Sequence, residues 1–409
     1  RRTAWEQCAD LAKSPRILDR LAEELPAAGL VGEARAAKLI YLCTTSRFLQ
    51  RPVSAAVKGP SSVGKSHATE CVLGFFPASA FYALTAMSER SLAYSEEPLK
   101  HRMLVLYEAA GIGGEFVSYL LRSLLSEGRV RYETVEKTSE GMRPRMIERE
   151  GPTGLLVTTT KIRLEGELET RLLSIPANDS PEQTRLVLMA LAAGQSTTVD
   201  MGPWHSLQEW LELSNHHVAI PFAPKLARFV PAVAVRLRRD FGAVLNLICA
   251  HAVLHQASRN TDAQGRIVAT IDDYAVVRDL VHDLVAEGVQ SAVPPAVRET
   301  VSAVEEIDDP AGVTAVMVAK RLRLDKASAL RRLRDAAERG YLKNLEDRRG
   351  QVGKWVVADP MPDGIELLPA PSTLETGCAV VRAPGDDTPP PPLDTGVEAV
   401  VDWIAGGAP

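Results

Sequence analysis

The residues in this chain that most directly imply chemistry are Gly59-Pro-Ser-Ser-Val-Gly64-Lys65-Ser66. Two glycines bracket a short polar turn, so the backbone can close around an anion and aim its N–H groups inward. A helix starting at the end of the turn adds the positive end of its dipole. Lys65 is placed to reach the β- and γ-phosphates and Ser66 to offer a hydroxyl to Mg²⁺, with Pro60, Ser61, Ser62 and Val63 forming the loop between the glycines. The expected ligand of Gly59–Ser66 is a nucleoside triphosphate, ATP with Mg²⁺.

Phosphoryl chemistry also needs a residue that orients the attacking water. Met103-Leu-Val-Leu-Tyr107-Glu108 is an apolar run ending in an acid, and Glu108 is expected to polarise that water. The position before it, where an aspartate commonly holds the metal, is Tyr107. A second apolar run, Gly154–Thr160, ends in three threonines and resembles the strand that lies beside the Walker B strand in additional-strand ATPases, which implies that Thr160 or Thr159 offers its hydroxyl to the γ-phosphate or the water. Farther on, Leu168-Glu-Thr-Arg171-Leu-Leu-Ser-Ile resembles the place where an arginine finger is presented to a neighbouring subunit, which implies that Arg171, with Arg163 as the alternative, stabilises charge developing on the transferred phosphoryl group. Supplied to a neighbouring subunit, such an arginine makes hydrolysis depend on assembly.

Two basic sets point toward nucleic acid. Arg129–Lys137 and Met142–Glu150 read as polar extended stretches joined by Thr-Ser-Glu-Gly, a hairpin signal. Arg129, Arg131, Lys137, Arg143 and Arg145 stud it and suit contact with phosphates, Lys137 lying nearest the turn. Glu133, Glu136, Glu140, Glu148 and Glu150 balance much of that charge, so a merely solvated hairpin is the plainer alternative. The second set lies between Gly312 and Val357, with 12 Lys/Arg against 5 Asp/Glu in a chain whose net charge is −5. Lys326, Arg331, Arg332, Arg348 and Arg349 are expected to face outward from a helix and a wing.

The elements that must position these residues follow from periodicity. Residues 1–50 read as a helical segment. From 51 to 180, strands at Val53–Lys58, Ala80–Ala86, Met103–Tyr107, Gly154–Thr160 and Leu172–Ile175 alternate with helices at Lys65–Phe75, Arg90–Glu96 and Gly114–Ser126, which implies a parallel α/β sheet. Residues 181–292 are helical, with an amphipathic stretch at Ala232–Ser258. Residues 297–359 read as three helices and two short strands, Tyr341–Leu345 and Lys354–Val357. Thr314 and Asp325 are the expected N-caps of two of these helices, and Leu330, Leu333 and Ala337 the buried face of the last. Residues 360–409 are Pro-rich, with 8 Asp/Glu against 1 Arg, and read as largely disordered apart from a short amphipathic end, Gly396–Ile404.

Composition removes several function classes. Five scattered cysteines without a C-x-x-C pair argue against a disulfide framework and against structural zinc, so a reduced, cytoplasmic protein is expected. No apolar run approaches the roughly 18 residues of a membrane span, so no membrane partner is expected. The chain begins at Arg1, which leaves room for a preceding domain.

Taken in order, the phosphate loop, the Glu108 strand, the threonine strand and Arg171 resemble an AAA+ ATPase. The 129–150 hairpin resembles the pre-sensor-1 hairpin of superfamily 3 and minichromosome-maintenance helicases. Arg239-Asp-Phe-Gly-Ala-Val-Leu-Asn-Leu-Ile and Ile271-Asp-Asp-Tyr-Ala-Val-Val resemble the lid helices of the latter, with Arg239 at the sensor-2 position and Arg236 or Arg238, within one helical turn, as alternatives. Leu84-Thr-Ala-Met-Ser-Glu-Arg90, Leu120-Leu-Arg-Ser-Leu-Leu-Ser-Glu-Gly128 and Glu148-Arg-Glu-Gly-Pro-Thr-Gly154 are similar to MCM-like helicases of phages and mobile elements, over roughly residues 30–290. That resemblance implies an α/β P-loop ATPase core with a helical lid and a C-terminal winged helix. It implies a homo-oligomeric, hexameric ring, hydrolysis between subunits, single- and double-stranded DNA as partners, and a primase domain or partner. A helicase loader or a transcription-regulating ATPase is the alternative. Activators of that kind insert G-A-F-T-G-A in the helix corresponding to Gly114–Ser126, and no such run exists here.

Overall fold

A computed structural model describes residues 2–375 apart from 89–90, 109–113, 139–140, 162–163, 165, 195–198, 232, 234–235, 347, 349–350 and 362–365. The chain forms two compact units. The first holds the residues up to Phe229, Arg239–Val281 and the segment from Leu368; the second holds Val230–Arg238 and His282–Leu367.

The first unit opens with three helices, α1 (Arg2–Ala12), α2 (Ile17–Glu24) and α3 (Ala34–Thr45). Alternation then follows: β1 (Ala55–Lys58), α4 (Lys65–Leu73), β2 (Phe81–Leu84), α5 (Ser91–Tyr94), β3 (Arg102–Leu106) and α6 (Gly114–Glu127). Next come β4 (Arg129–Thr138), β5 (Gly141–Glu150), β6 (Thr153–Thr159), α7 (Gly166–Glu169) and β7 (Leu173–Pro176). Five of these strands make one parallel sheet in the order β2-β3-β6-β1-β7. It is a mixed α/β architecture with a central parallel sheet. Every residue of β6 is buried, as a central parallel strand covered on both faces must be. The strand that ends in threonines thus lies between the strand that feeds the phosphate loop and the strand that ends at Glu108.

β4 and β5 pair only with each other, in an antiparallel ladder from Arg129↔Glu150 to Thr138↔Gly141. Their base is held: Val130 and Ile147 join the apolar cluster of Leu104, Val117, Leu121 and Leu155, and Tyr132 meets Phe116 edge-on at 5.2 Å. Beyond that base Val135, Met142 and Met146 are exposed. Ten residues per strand at about 3.3 Å each give a projection of roughly 30 Å.

After the sheet come α8 (Pro181–Ala193), α9 (Gly202–Glu212), β8 (Val218–Ala219), α10 (Ala223–Phe229), α11 (Leu237–Leu254), β9 (Ile267–Val268) and α12 (Ile271–Ala292), the unit boundaries falling inside α11 and α12. The N-terminal helices pack with α9 into one body. Trp5 meets Trp210 at 4.9 Å, and the buried Trp204 donates its indole N–H to Glu24 at 2.7 Å. Arg47, buried between them, donates to Gln208 at 2.8 Å and lies 3.9 Å over Phe48, and burial lowers its pKa to about 9.

The second unit holds α13 (Pro295–Ile307), α14 (Ala315–Leu322), α15 (Lys326–Glu338), β10 (Leu342–Asn344) and β11 (Trp355–Val357), the two strands antiparallel. Thr314 and Asp325 cap as the sequence implies, accepting from the backbone N–H groups of Met317 and Ser328 at 3.4 and 2.9 Å. The buried face of α15 is Ala329, Leu333 and Ala336, with Leu330 and Ala337 only partly covered. Spacing alone allowed either set, and packing against Val297, Val301 and Val318 selects the small residues.

The acidic tail is not uniformly detached. Leu368 and Leu374 are buried, Tyr274 and Arg278 donate to the carbonyls of Pro369 and Leu368 at 2.6 and 3.0 Å, and α16 (Pro371–Glu375) follows. Residues 376–409, with the amphipathic end at 396–404, lie outside the described residues.

Candidate functional site

The phosphate loop sits at the carboxyl end of β1, where α4 begins. Gly64 has φ +92°, a left-handed conformation that Cβ disfavours. At Gly59 an added Cβ would meet Val63 Cγ1 at 2.9 Å. Lys65 is buried and its ammonium donates to the carbonyls of Gly59 and Pro60 at 3.0 and 2.6 Å, which points it across the loop. Ser61, Ser62, Gly64, Lys65, Ser66 and His67 form one wall of a polar cleft of about 220 Å³. Glu108, Thr158, Thr159, Thr160 and Lys161 form the other.

Each strand end contributes differently to that second wall. Glu108 is exposed to the cleft with φ +68°, and its backbone N–H donates to Thr158 Oγ1 at 3.0 Å. Thr159 Oγ1 accepts from the N–H of Lys161 at 3.0 Å, so it is occupied in holding the turn. Thr160 is the exposed member of the three. Geometry therefore separates the alternatives: Thr158 and Thr159 shape backbone, and Thr160 is the hydroxyl left to face a ligand. Tyr107 is half-buried, and burial, with Glu70 nearby, pushes its phenol up to about 12. It stays neutral and is no substitute for a metal-binding carboxylate. Glu108 is the carboxylate among the described residues of this cleft, and with the Ser66 hydroxyl it makes a donor set that fits Mg²⁺, a hard cation that takes oxygen ligands and keeps several waters.

Beside the polar cleft lies a larger, mostly apolar cavity of about 630 Å³. Its walls include Leu30, Val31, Val63, Val187, Leu188 and Leu191, together with Asp179 and the buried Glu33, whose carboxylate accepts the Asn178 N–H at 2.9 Å. It shares Ser61, Ser62, Gly64 and His67 with the phosphate end. A polar end for phosphates adjoining an apolar end for a base and sugar is the division a nucleotide requires. His67, Thr158 and the 26–33 segment carried no signal in the sequence, because only folding brings them to the loop.

Arg171 and Arg239 lie elsewhere. Leu173 pairs with Ala55 and Pro176 with Lys58, both strands running the same way. Arg171, before β7, is thus at the amino end of the sheet, and the phosphate loop, after β1, at the carboxyl end. The paired residues alone separate those ends by about 10 Å. The Arg171 guanidinium is directed away from the cleft, donating to Ser126 Oγ at 2.7 Å and to the Glu167 carbonyl at 2.6 Å. Arg239 donates to Thr170 Oγ1 next door. Burial, then the nearby Arg239, lowers the Arg171 pKa. The two arginines are together, and neither lines its own chain's cleft among the described residues. Arg236 instead lies against Gly288 in the second unit, so Arg239 is the member of that run beside Arg171. Arg163 lies outside the described residues.

On the hairpin, ion pairs sort the cations. Arg131 pairs with Glu148 at 2.8 Å and Arg145 with Glu136 at 3.1 Å. Lys137, opposite Met142 near the turn, is exposed and has no ion-pair partner among the described residues. In the second unit Arg332, expected to face outward, is instead turned to Glu299 of α13 at 2.9 Å. The exposed face of α15 carries Lys326, Arg331 and Arg334. Arg334 is three residues from Arg331 and was legible from helical spacing. Arg348 is exposed, and Arg349 lies outside the described residues.

A separate buried cluster joins α11 to α12. His251, His255 and Asp273 have ligand atoms within 4.8 Å of one another. The Asp273 carboxylate already accepts from Arg259 at 2.6 and 3.1 Å, from His251 at 2.6 Å and from the Thr270 N–H at 2.7 Å. Its charge is balanced by protein, and the cluster reads as a structural tie. Among the described residues no helix is long and apolar enough to cross a membrane.

No protein-family model matches this chain, and no curated protein matches it. Among solved structures it is similar to the Orc1 protein of Aeropyrum pernix in complex with DNA, at 14% identity over 87% of this chain and 93% of that one, with a TM-score of 0.24. It is also similar to NtrX from Brucella abortus in complex with ADP, at 13% identity over 78% and 72%, with a TM-score of 0.23. Likeness at TM-scores this low decides nothing about the chain, whose own strand order and cleft must carry the reading.

Proposed function

We propose that this chain is an AAA+ ATPase of the MCM-like type that assembles into a ring, hydrolyses ATP between subunits and moves single-stranded DNA as a helicase or replication initiator of a phage or mobile element. The observation that carries this reading is the separation of the phosphate cleft from Arg171 and Arg239 at opposite ends of one sheet. A cleft with Lys65, Glu108 and Thr160 but no arginine among its described residues, in a chain that gathers two arginines elsewhere, makes sense as half of a shared site.

In this reading Gly59–Ser66 cradles the triphosphate through backbone N–H groups, and Lys65 turns from its loop carbonyls to the β/γ-phosphates. The Ser66 hydroxyl would hold Mg²⁺, which when bound would neutralise charge on the phosphate oxygens. Glu108 orients and polarises water, Thr160 holds the water or the γ-phosphate, and Arg171 and Arg239 of the next subunit stabilise charge as the bond breaks. Residues 181–292 act as the lid. The β4–β5 hairpin, with Lys137 near its tip, grips the DNA backbone in the pore. The second unit, three helices and a two-stranded wing, is read as a winged helix presenting Lys326, Arg331 and Arg334 to duplex DNA.

Three measurements on the purified chain test it: turnover with and without single-stranded DNA, particle shape with a non-hydrolysable ATP analogue, and displacement of a strand from a forked duplex. DNA-stimulated turnover lost in Lys65→Ala, with strand displacement by the parent, is the expected result. Turnover without displacement would favour a loader or remodelling ATPase, and absence of nucleotide binding would overturn the reading.

A further inference from the structure

A further cavity, of about 200 Å³, lies within the first unit and away from the nucleotide cleft. Its lining includes Gln50, before β1, and His101, before β3, so it opens at the amino end of the sheet. The phosphate loop follows the carboxyl end of β1, and the two share no residue.

Asn246 is the feature that asks for an occupant. It sits within α11, is 8% exposed and lines the cavity, yet its amide makes no hydrogen bond among the described residues. Such an amide is uncommon, because its donors and acceptor lose water without replacement. Asn215, on the same wall, shows the contrast. It donates to the Gly265 carbonyl at 2.6 Å and accepts from the His217 N–H at 3.0 Å.

Charge narrows what the occupant is. Among the described residues no carboxylate lines the cavity, whereas the imidazoles of His101, His216 and His217 do. Against the Phe48 ring lies the buried Arg47, which donates to the Thr44 carbonyl and to Gln208 and has no ion-pair partner among the described residues. The carboxylate that acts on it, Glu212, is exposed to solvent. Asp273, which acts on the Cys249 thiol, is already matched by Arg259 and His251. A buried cation without a counter-ion, behind a wall without carboxylates, favours an anion.

Two of the rings are held ready to take up a proton beside that anion. His216 stacks on Phe48 with centroids 4.7 Å apart and donates its Nε2–H to the Leu211 carbonyl at 2.7 Å. His101 donates its Nδ1–H to the Arg47 carbonyl at 2.9 Å. These bonds leave Nδ1 of His216 and Nε2 of His101 as the atoms that accept a proton. Burial, then the cationic neighbours His101, Arg47 and His217, lowers the His216 pKa, so its ring is neutral near pH 7 until negative charge comes beside it. The volume suits a tetrahedral oxyanion with a few waters at roughly 30 Å³ each. It falls short of the roughly 300 Å³ at which pockets for larger organic ligands begin.

We propose that this cavity is a second anion site, which holds one phosphate-type oxyanion through the Asn246 amide and the protonated rings of His216 and His101. Binding carries a proton from solvent onto the rings. The oxyanion comes either as inorganic phosphate or as the terminal phosphate of a nucleic-acid strand. His101 also donates its backbone N–H to the Pro152 carbonyl at 2.8 Å, just beyond β5, so the site adjoins the base of the hairpin.

The test is equilibrium dialysis of radiolabelled inorganic phosphate against the full chain, with the phosphate loop filled by an excess of non-hydrolysable ATP analogue and Mg²⁺. One equivalent of phosphate should bind, and Lys65→Ala should keep it. Asn246→Leu and His216→Phe should each weaken it about tenfold or more, with affinity for the analogue within about twofold of the parent. Should either fail to fold, Asn246→Asp has nearly the same volume, sets a carboxylate against the anion and should abolish binding. Sulfate, whose charge is constant from pH 8 to pH 6, should bind more tightly as pH falls, by up to about tenfold per unit for each proton taken up. No phosphate bound beside the analogue, unchanged binding in the cavity variants, or a flat sulfate profile overturns the proposal. Displacement of the label by a 5′-phosphorylated oligonucleotide but not by its 5′-hydroxyl form assigns the oxyanion to a strand end. Displacement by neither assigns it to free phosphate.

Discussion

Thr158 Oγ1 accepts the backbone N–H of Glu108 at 3.0 Å, from the neighbouring strand of the sheet. That bond holds a residue with φ +68°, a conformation that non-glycine residues seldom adopt without support. It decides where the Glu108 carboxylate points relative to the phosphate loop. Replacing Thr158 by Val keeps the shape and strands the N–H, at a local cost of about 1–3 kcal/mol. Turnover is expected to fall about tenfold or more, each 1.4 kcal/mol of barrier being tenfold, with nucleotide affinity nearly unchanged. Thr158→Ser should restore it, and Glu108→Gln should abolish turnover while still binding nucleotide. A Thr158→Val chain with parental turnover would remove this bond from the mechanism.

Lys137 and Arg145 make a second comparison, because both are cations on the hairpin and only one is paired to a described glutamate. Lys137→Ala should spare basal hydrolysis but lose DNA stimulation and strand displacement. Arg145→Ala, whose charge Glu136 already offsets, should reduce displacement far less. Equal effects of the two would mean that the hairpin acts by general charge and not through its tip.

In the second unit the contrast is between Arg331 or Arg334 and Arg332. Each of the first two is exposed, and its removal should weaken duplex binding and reduce the slope of log affinity against log salt by about 1. Arg332 is engaged with Glu299, so Arg332→Ala should leave that slope nearly unchanged and alter stability by no more than about 1 kcal/mol. Fluorescence anisotropy of a labelled duplex at several salt concentrations measures all three.

His255 predicts a pH dependence of stability. Burial, with His251 beside it, lowers its pKa from 6.5 to about 3. Above pH 6.5 the imidazole is neutral in both folded and unfolded chains and contributes no slope. Below that, the unfolded chain takes up a proton that the folded chain refuses until about pH 3, so stability falls as pH falls, by up to about 1.4 kcal/mol per unit. Asp273, held well below the usual carboxylate range by His251 and Arg259, adds loss in the same direction once the pH drops under the ordinary aspartate value. Thermal melts between pH 7 and pH 5 should show the decline, and His255→Gln should flatten it at a lower overall stability. An unchanged slope in that variant would assign the dependence to other groups.

Much of the phosphate site was legible before folding because its chemistry is local. The residues of Gly59–Ser66 are contiguous, and a turn between a strand and a helix is set by glycine positions and periodicity. The five sheet strands and the hairpin were legible for a related reason: alternation and apolar runs are short-range patterns. The buried face of α15 was read one residue off, since Leu330 and Ala337 fit the helical spacing as well as Ala329 and Ala336 do. The engagement of Arg332 was not legible, because nothing near it in sequence announces Glu299, thirty-three residues away.

The sequence by itself therefore determined the phosphate loop, the acid at the end of its strand and the alternating order of elements, each a matter of neighbours along the chain. Only the tertiary structure decided that β6 lies between β1 and β3, which sets Thr158 to work on the Glu108 backbone and leaves Thr160 exposed on the cleft. It also decided that Arg171 and Arg239 meet each other at the amino end of the sheet, away from their own cleft. The physical reason is that strand order and parallel register are set by burial across the sheet, between residues some fifty to a hundred positions apart.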